Sequence, residues 1–91
     1  MLESRIEKKI VKALREQGFE SVKVGKTGWP DRFVIIGPGQ HIWLEVKQPG
    51  GSLTPAQKRK IPWMKDLGEP IYVVESVEEA LAIAEHHWRL L

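Results

Sequence analysis

The order of the predicted elements places this chain in the α/β class, as a sandwich of helices around a small mixed central sheet. Three observations predict it. An amphipathic helix opens the chain at residues 2–17, a glycine-rich connector at residues 37–40 separates two β-prone runs, and a helix, a strand and a helix follow. The resulting order is helix, strand, hairpin, helix, strand, helix.

The first helix is predicted from an apolar stripe at steps of three and four residues, formed by Leu2, Ile6, Ile10, Ala13 and Leu14. Gly18 follows the last residue of this stripe, where a glycine commonly ends a helix. A β-prone segment over residues 19–24 comes next, and Gly25 with the loop at residues 26–30 ends it.

Two strands over residues 32–36 and 41–47 flank the connector Gly37-Pro38-Gly39-Gln40, which predicts a β-hairpin. The run over residues 33–36 is apolar at every position, which predicts a central strand that is covered on both faces.

The second helix is predicted from its start. Thr54 can cap it, Pro55 suits the first helical position, and Gln57 occupies the capping-box position. The helix should end at Gly68, and Pro62 inside it predicts a kink or two short pieces.

A strand at residues 71–74 precedes the last helix. Ser76 is the predicted cap of that helix, whose apolar stripe is Val77, Leu81, Ala84 and Trp88.

A length of 91 residues predicts one domain over residues 1–91, with a core so small that a partner subunit would help to bury apolar surface. The absence of cysteine excludes a disulfide framework and a thiolate zinc site. No apolar run approaches the roughly 20 residues that a membrane helix needs, and no signal peptide is visible. A cytoplasmic protein, in a bacterial or phage-infected cell, is expected.

The charge is unevenly distributed. Residues 1–60 hold twelve Lys/Arg against six Asp/Glu, whereas residues 61–91 hold two against six. A basic portion of this kind is what a nucleic-acid partner requires. A solvated basic helix face followed by an acidic C-terminal helix would give the same distribution.

The candidate site lies at the open end of the predicted hairpin. Side chains alternate along a strand, so Glu45 and Lys47 share one face. Closing the hairpin brings residue 31 or 32 opposite Glu45, which makes Asp31 its near neighbour. Two carboxylates this close repel each other unless a cation lies between them. Mg²⁺ prefers oxygen ligands, and the carbonyl of Val46 could add one.

Lys47 would then stabilise negative charge at the scissile phosphate and position the attacking water. A surface hairpin with a structural acid–base pair remains the alternative for these residues. Glu7 lies at the edge of the apolar stripe of the first helix, and it either approaches the metal site or reaches solvent. Gln57 either faces the site or serves only the capping box.

Five cations lie near this site in sequence or across the hairpin and could bind phosphates: Lys26, Arg32, Lys58, Arg59 and Lys60. Trp29 and Trp63 could stack on bases, with core or dimer packing as the alternative.

Three segments of this sequence together resemble the VRR-NUC family, a branch of the PD-(D/E)XK nuclease superfamily: Gly28-Trp29-Pro30-Asp31, Glu45-Val46-Lys47 and Leu53-Thr54-Pro55-Ala56-Gln57. The resemblance covers nearly the whole chain. It implies a restriction-endonuclease-like α-β-β-β-α-β core, here followed by a C-terminal helix, and this is the order predicted above.

The resemblance implies that Asp31 and Glu45 bind Mg²⁺ or Mn²⁺, that Lys47 is catalytic, and that Gln57 and Glu7 take part. Stand-alone members are similar to archaeal Holliday junction resolvases, which implies a homodimer that cleaves four-way DNA junctions. Larger relatives carry the domain as the nuclease end of DNA-repair enzymes. Pro62 and Trp63 depart from the family pattern.

The main hypothesis is therefore a metal-dependent, structure-selective DNA endonuclease, a homodimeric Holliday junction resolvase. One alternative has the same chemistry on flaps, nicks or ends. The other is a non-catalytic DNA-binding or assembly module in which the acid–base cluster is structural.

Overall fold

The computed structural model describes residues 2–91, which form three helices and one four-stranded sheet. The element order is the predicted one. In chain order the elements are α1 (Leu2–Glu16), β1 (Glu20–Lys23), β2 (Arg32–Gly37), β3 (Gln40–Val46), α2 (Pro55–Asp66), β4 (Ile71–Val74) and α3 (Val77–Arg89).

The sheet is mixed, as predicted, with the spatial order β1-β2-β3-β4. The first three strands are antiparallel, and β4 runs parallel to β3 after the crossover through α2. Gly37 pairs with Gln40 to close the predicted hairpin. Gly39 in the turn has a φ of +69°, a left-handed conformation that glycine adopts without steric cost.

Two apolar clusters lie on opposite faces of the sheet. The larger lies beneath α1 and α3 and contains Ile10, Leu14, Val34, Ile42, Leu44, Val74, Ala80 and Ala84. The smaller lies beneath α2 and consists of Ile61, Met64 and Ile71, with Trp29, Trp43 and Leu53 packed against it. Because side chains alternate along β3, Glu45 shares the α2 face with Trp43.

Two burial predictions are wrong. Ile35 on β2 is 43% exposed, because α2 packs against β4 and the β3 side of the sheet and leaves that face of β2 open. Trp88 is 54% exposed, although the predicted stripe of α3 included it. The buried face of α3 is instead formed by the small residues Ala80 and Ala84, which allow the helix to approach α1 closely.

Helix α2 has the predicted capping box, in which the side chains of Thr54 and Gln57 each bond the backbone of the other residue. The helix continues through Pro62, so the expectation of two short pieces is wrong. Proline removes the donor that the carbonyl of Lys58 would otherwise accept from. Both residues are exposed, so water can satisfy that carbonyl. Each helix within residues 2–91 is too short or too polar to span a bilayer.

Candidate active site

The predicted site residues Asp31 and Glu45 lie next to each other at the open end of the hairpin. Arg32 pairs with Leu44 in the sheet register, so the next step outward places Asp31 opposite Glu45. The Oδ2 atom of Asp31 accepts a hydrogen bond from the backbone N–H of Val46 at 2.8 Å. This bond fixes the Asp31 carboxylate at the end of β3.

Glu45 is a buried carboxylate with one unsatisfied oxygen. Its side chain is 1% exposed, and its Oε2 lies 2.7 Å from Nε2 of Gln57 and 3.2 Å from Nζ of Lys47. Its Oε1 is buried and has no hydrogen-bond partner within the described residues. Leaving a buried acceptor unsatisfied costs about 1–3 kcal/mol, and more for a charged group. A cation bound at Oε1 would remove this cost.

The capping box of α2 orients the Gln57 side chain toward Glu45. The Oε1 atom of Gln57 accepts from the backbone N–H of Thr54 at 3.0 Å. Since the amide oxygen is held there, the amide nitrogen must point the other way, and it donates to Glu45. The two interpretations of Gln57 are therefore compatible: one side chain caps the helix and supports the site.

Burial raises the pKa of Glu45 to about 7, and the negative charge of Asp31 adds to the rise, against hydrogen bonds from Lys47 and Gln57. Burial also raises the pKa of Asp31, against the hydrogen bond from Val46, and the charge of Glu7 adds to that rise. Both carboxylates are therefore destabilised as anions in the metal-free protein. A divalent cation between them would reverse this, because opposite charge favours the ionised forms.

A third oxygen, the carbonyl of Val46, lies on the same side of β3 as Asp31. The backbone N–H of Lys47 donates to the carbonyl of Val74 on β4 at 2.9 Å. Because a trans peptide directs its N–H and C=O in opposite directions, the carbonyl of Val46 faces away from β4, on the Asp31 side of the strand. Two carboxylates and one carbonyl form a hard oxygen donor set of the type that Mg²⁺ and Mn²⁺ prefer.

Residues 2–91 contain no group of three or more His, Cys, Asp or Glu side chains placed to hold a metal ion. The candidate site therefore depends on the pair Asp31 and Glu45 and the carbonyl of Val46. Mg²⁺ commonly binds proteins through one or two carboxylates and keeps several of its water ligands. The residues present fit such an ion.

Glu7 lies at the edge of the site and is paired with two cations. Its Oε2 is 3.3 Å from Nη1 of Arg32 and 3.4 Å from Nζ of Lys23, and its side chain is 18% exposed. Its charge reaches Asp31, whose pKa it raises. Glu7 therefore approaches the site from α1, with its carboxylate occupied by Arg32 and Lys23.

Arg32, which was predicted to bind phosphates, lies largely inside the fold. Its side chain is buried, and its Nε donates to Oγ of Ser21 at 3.0 Å while Nη1 pairs with Glu7. These contacts hold the guanidinium within the fold, and phosphate binding by Arg32 stays a prediction. Strand alternation offered the missed signal, because Arg32 occupies the same face of β2 as the buried Val34 and Ile36.

Two of the other predicted cations line an open groove beside the site. This groove, called here the Trp63 groove, has a volume of about 540 Å³ and is lined by Thr27, Gly28, Ala56, Arg59, Lys60 and Trp63. Lys26 lies near it, with its Nζ 5.8 Å from the ring centre of Trp29. Lys58 is exposed, but at 100° per residue it projects from the opposite side of α2 to Lys60.

The pKa of Glu45 predicts how the metal-free protein responds to pH. The unfolded chain releases this proton near pH 4.5 and the folded chain near 7, so the folded state holds the extra proton between these values. The free energy of unfolding in EDTA should therefore fall as pH rises from about 4.5 to above 7, by up to about 3 kcal/mol. Urea unfolding at several pH values measures it.

Glu45→Gln is the control for this measurement, and the fall attributed to Glu45 is the difference between the two proteins. Burial lowers the pKa of His87, which adds a slope of opposite sign to both of them. A wild-type stability that rises relative to Glu45→Gln across this pH range would contradict the prediction.

Comparisons with known proteins give relatives in sequence and in structure. No model of a known protein family matches the chain. The chain is 36% identical over 77 residues to "Putative nuclease p44" of Acyrthosiphon pisum secondary endosymbiont phage 1, covering 81% of this chain and 83% of that protein. A solved structure described as a VRR_NUC domain superposes with a TM-score of 0.81 and 26% identity, over 96% of this chain and 98% of its own. The sequence relative and the structural neighbour therefore both indicate a nuclease of the VRR-NUC type.

Proposed function

The chain belongs to the VRR-NUC family of nucleases, and on this premise we propose that it is a Mg²⁺- or Mn²⁺-dependent DNA endonuclease. The observation that carries the proposal is the buried Oε1 of Glu45, which has no partner among the described residues and lies beside a second carboxylate of raised pKa. A purely structural acid–base cluster would be expected to satisfy that oxygen within the fold. The non-catalytic alternative is therefore disfavoured.

Asp31, Glu45 and the carbonyl of Val46 would hold the cation. When bound there, a divalent cation supplies Lewis-acid polarisation of the phosphate and lowers the pKa of water. Gln57 keeps Glu45 aligned from the start of α2. Glu7 contributes negative charge from the edge of the site, where two cations hold it.

Lys47 is the group that acts on the phosphate itself. Its ammonium shares the buried face with Glu45, to which it is bonded at 3.2 Å. In this position it stabilises the negative charge that develops as water attacks phosphorus in line. The new P–O bond forms as the bond from phosphorus to the 3′ oxygen breaks. The attacking water releases one proton to solvent and the 3′ oxygen takes one from solvent, which leaves a 5′-phosphate and a 3′-hydroxyl.

The proposed substrate is a four-way DNA junction, cut by a homodimer. One chain offers one such site, and resolving a junction needs two symmetric nicks in opposite strands. A two-fold dimer supplies two sites in that relation. Flaps, nicks and ends are the competing substrates for the same chemistry.

The test compares a labelled four-way junction, a flap and the matching linear duplex, each incubated with the protein and Mn²⁺. We expect paired nicks at symmetric positions in the junction, little cutting of the duplex, and a solution mass of two chains. Cutting of the flap alone, or a strict monomer, would overturn the resolvase assignment. Failure to cut any of the three with Mg²⁺ or Mn²⁺ would overturn the proposed nuclease chemistry.

A further inference from the structure

We infer that the Trp63 groove binds an unpaired nucleobase of the DNA substrate, stacked on the exposed indole of Trp63. This inference rests on the proposed DNA nuclease function and specifies which feature of the DNA the protein recognises. The groove lies between the loop at residues 26–30 and α2, next to the candidate active site.

One side of α2 supplies most of the groove. Ala56, Arg59, Lys60 and Trp63 follow the spacing i, i+3, i+4 and i+7, so they form one stripe along the helix. The neighbouring stripe is the buried one and carries Gln57, Ile61 and Met64. The groove residues therefore lie directly beside the helix face that holds Glu45 in place.

Trp63 is not part of the core. Its side chain is 51% exposed, whereas the apolar cluster beneath α2 is completed by Trp29 and Trp43. An indole this exposed forgoes a large hydrophobic stabilisation. Aromatic rings left open beside cations are how proteins bind single-stranded nucleic acid, because every base has a flat face that can stack.

The cations of the groove are placed to hold the flanking phosphates. Nζ of Lys60 lies 4.5 Å from the ring centre of Trp63 and 5.4 Å from that of Trp29, so it bridges the two indoles. This cation–π contact orients the Trp63 ring and leaves half of the side chain exposed. Arg59 lines the same groove, and its planar guanidinium can donate two parallel hydrogen bonds to a phosphate.

The residues that line the groove adjoin those of the candidate active site along the chain. Gly28 packs so tightly on the first turn of α2 that a Cβ there would lie 3.2 Å from the carbonyl oxygen of Ala56. Gly28 precedes Asp31 by three residues, and Ala56 precedes Gln57, which bonds Glu45. A strand whose phosphate reaches the two carboxylates would therefore pass along the groove.

These placements define a substrate class. In a continuous duplex the base faces are covered by their neighbours, so an indole cannot stack on a base unless that base is first unstacked, and only the backbone and the base edges are open to contact. An unpaired base at a branch point, bulge or frayed end exposes its face at no such cost. The groove therefore favours DNA in which a nucleotide beside the scissile phosphate is unpaired or, at the crossover of a four-way junction, unstacked from its neighbour.

The experiment measures binding of the full chain in EDTA, so that no cleavage occurs. The probes are a fluorescein-labelled duplex with one unpaired adenine, the same duplex fully paired, and the same bulge with an abasic nucleotide. For the bulged duplex we expect Trp63→Ala to weaken binding roughly tenfold or more, with the paired duplex nearly unchanged. The abasic bulge should bind the wild type as weakly as the intact bulge binds Trp63→Ala.

Trp88→Ala is the matched control, because Trp88 is equally exposed but lies in the last turn of α3, against Gly37. It should bind all three probes as the wild type does. Trp63→Phe should recover much of the preference, since phenylalanine keeps a stacking face, and circular dichroism would show each variant folded.

Two results would overturn the inference. One is an equal effect of Trp63→Ala on the bulged and paired duplexes, including no effect on either. The other is a fall in solution mass with Trp63→Ala, which would make this indole part of an interface between two copies of the chain. Junction cleavage by the wild type tests the proposed function separately, so each idea can fail while the other stands.

Discussion

Asp31→Asn should abolish DNA cleavage and leave the fold intact. The substitution removes one of the two negative charges proposed to hold the cation but keeps the size of the side chain. The amide oxygen can still accept the hydrogen bond from Val46. We expect the cleavage rate with Mn²⁺ to fall by roughly a thousandfold, as for removal of a group that stabilises the transition state electrostatically.

The same variant should lose the stabilisation that metal gives. An ion that binds only the folded state at one hundred times its Kd adds about 2.7 kcal/mol to the free energy of unfolding. For the wild type, Tm should therefore rise with millimolar Mn²⁺, and for Asp31→Asn the rise should vanish. In EDTA the variant should be slightly more stable than the wild type, because the repulsion that raises the pKa of Glu45 is gone.

Glu85→Gln is the control for both measurements. Glu85 is a carboxylate on α3 paired with Arg89, in an exposed pair at the spacing i, i+4. Its variant should match the wild type in rate and in the Mn²⁺-induced rise of Tm. Unchanged cleavage by Asp31→Asn, or an undiminished rise of Tm, would contradict the assignment of Asp31.

The placement of the two carboxylates could be predicted from sequence because local rules determine it. A short glycine-rich connector fixes the hairpin, and alternation along each strand then leaves little freedom in which residue faces Asp31. The cap of α2 could be predicted for the same reason, since Thr54, Pro55 and Gln57 lie within four consecutive residues. The bond from Gln57 to Glu45 followed only once the whole chain had folded.

The errors have a common physical cause, because each depends on where a distant element packs. Ile35 is half-exposed because α2 covers the neighbouring strands, which no pattern within residues 33–36 can show. Arg32 was predicted from its charge to bind phosphates, but its partner in the fold is the carboxylate of Glu7, twenty-five residues away in sequence. Trp88 follows the periodicity of α3 yet lies past the end of the core.

Lys47→Met should also abolish cleavage, but it should leave metal binding in place. The Lys47 side chain is buried, and Met keeps its length and apolar stem without the charge. Its ammonium is bonded to Glu45 and is proposed to stabilise charge on the phosphate, not to hold the cation. We expect a fall in rate of roughly a hundredfold to a thousandfold and a Mn²⁺-induced rise of Tm like that of the wild type.

The pH of this comparison matters because Lys47 holds down the pKa of Glu45. Without the lysine that pKa rises, so at neutral pH protons would compete with the cation for Glu45. Measured above that raised pKa, where Glu45 is ionised in both proteins, the rise of Tm should be equal or larger in Lys47→Met. Lys65→Met, an exposed change in the last turn of α2, should alter neither rate nor Tm rise.

The pair of variants separates two roles that share one buried space. If Asp31 holds the cation and Lys47 acts on the phosphate, Asp31→Asn loses both DNA cleavage and the Mn²⁺-induced rise of Tm. Lys47→Met then loses only cleavage. Loss of the Tm rise in Lys47→Met at high pH would mean that the lysine supports the metal site itself. If Lys47→Met still cleaves DNA, the buried ammonium of Lys47 has a structural role beside Glu45 only. Another group must then stabilise the negative charge that develops on the phosphate.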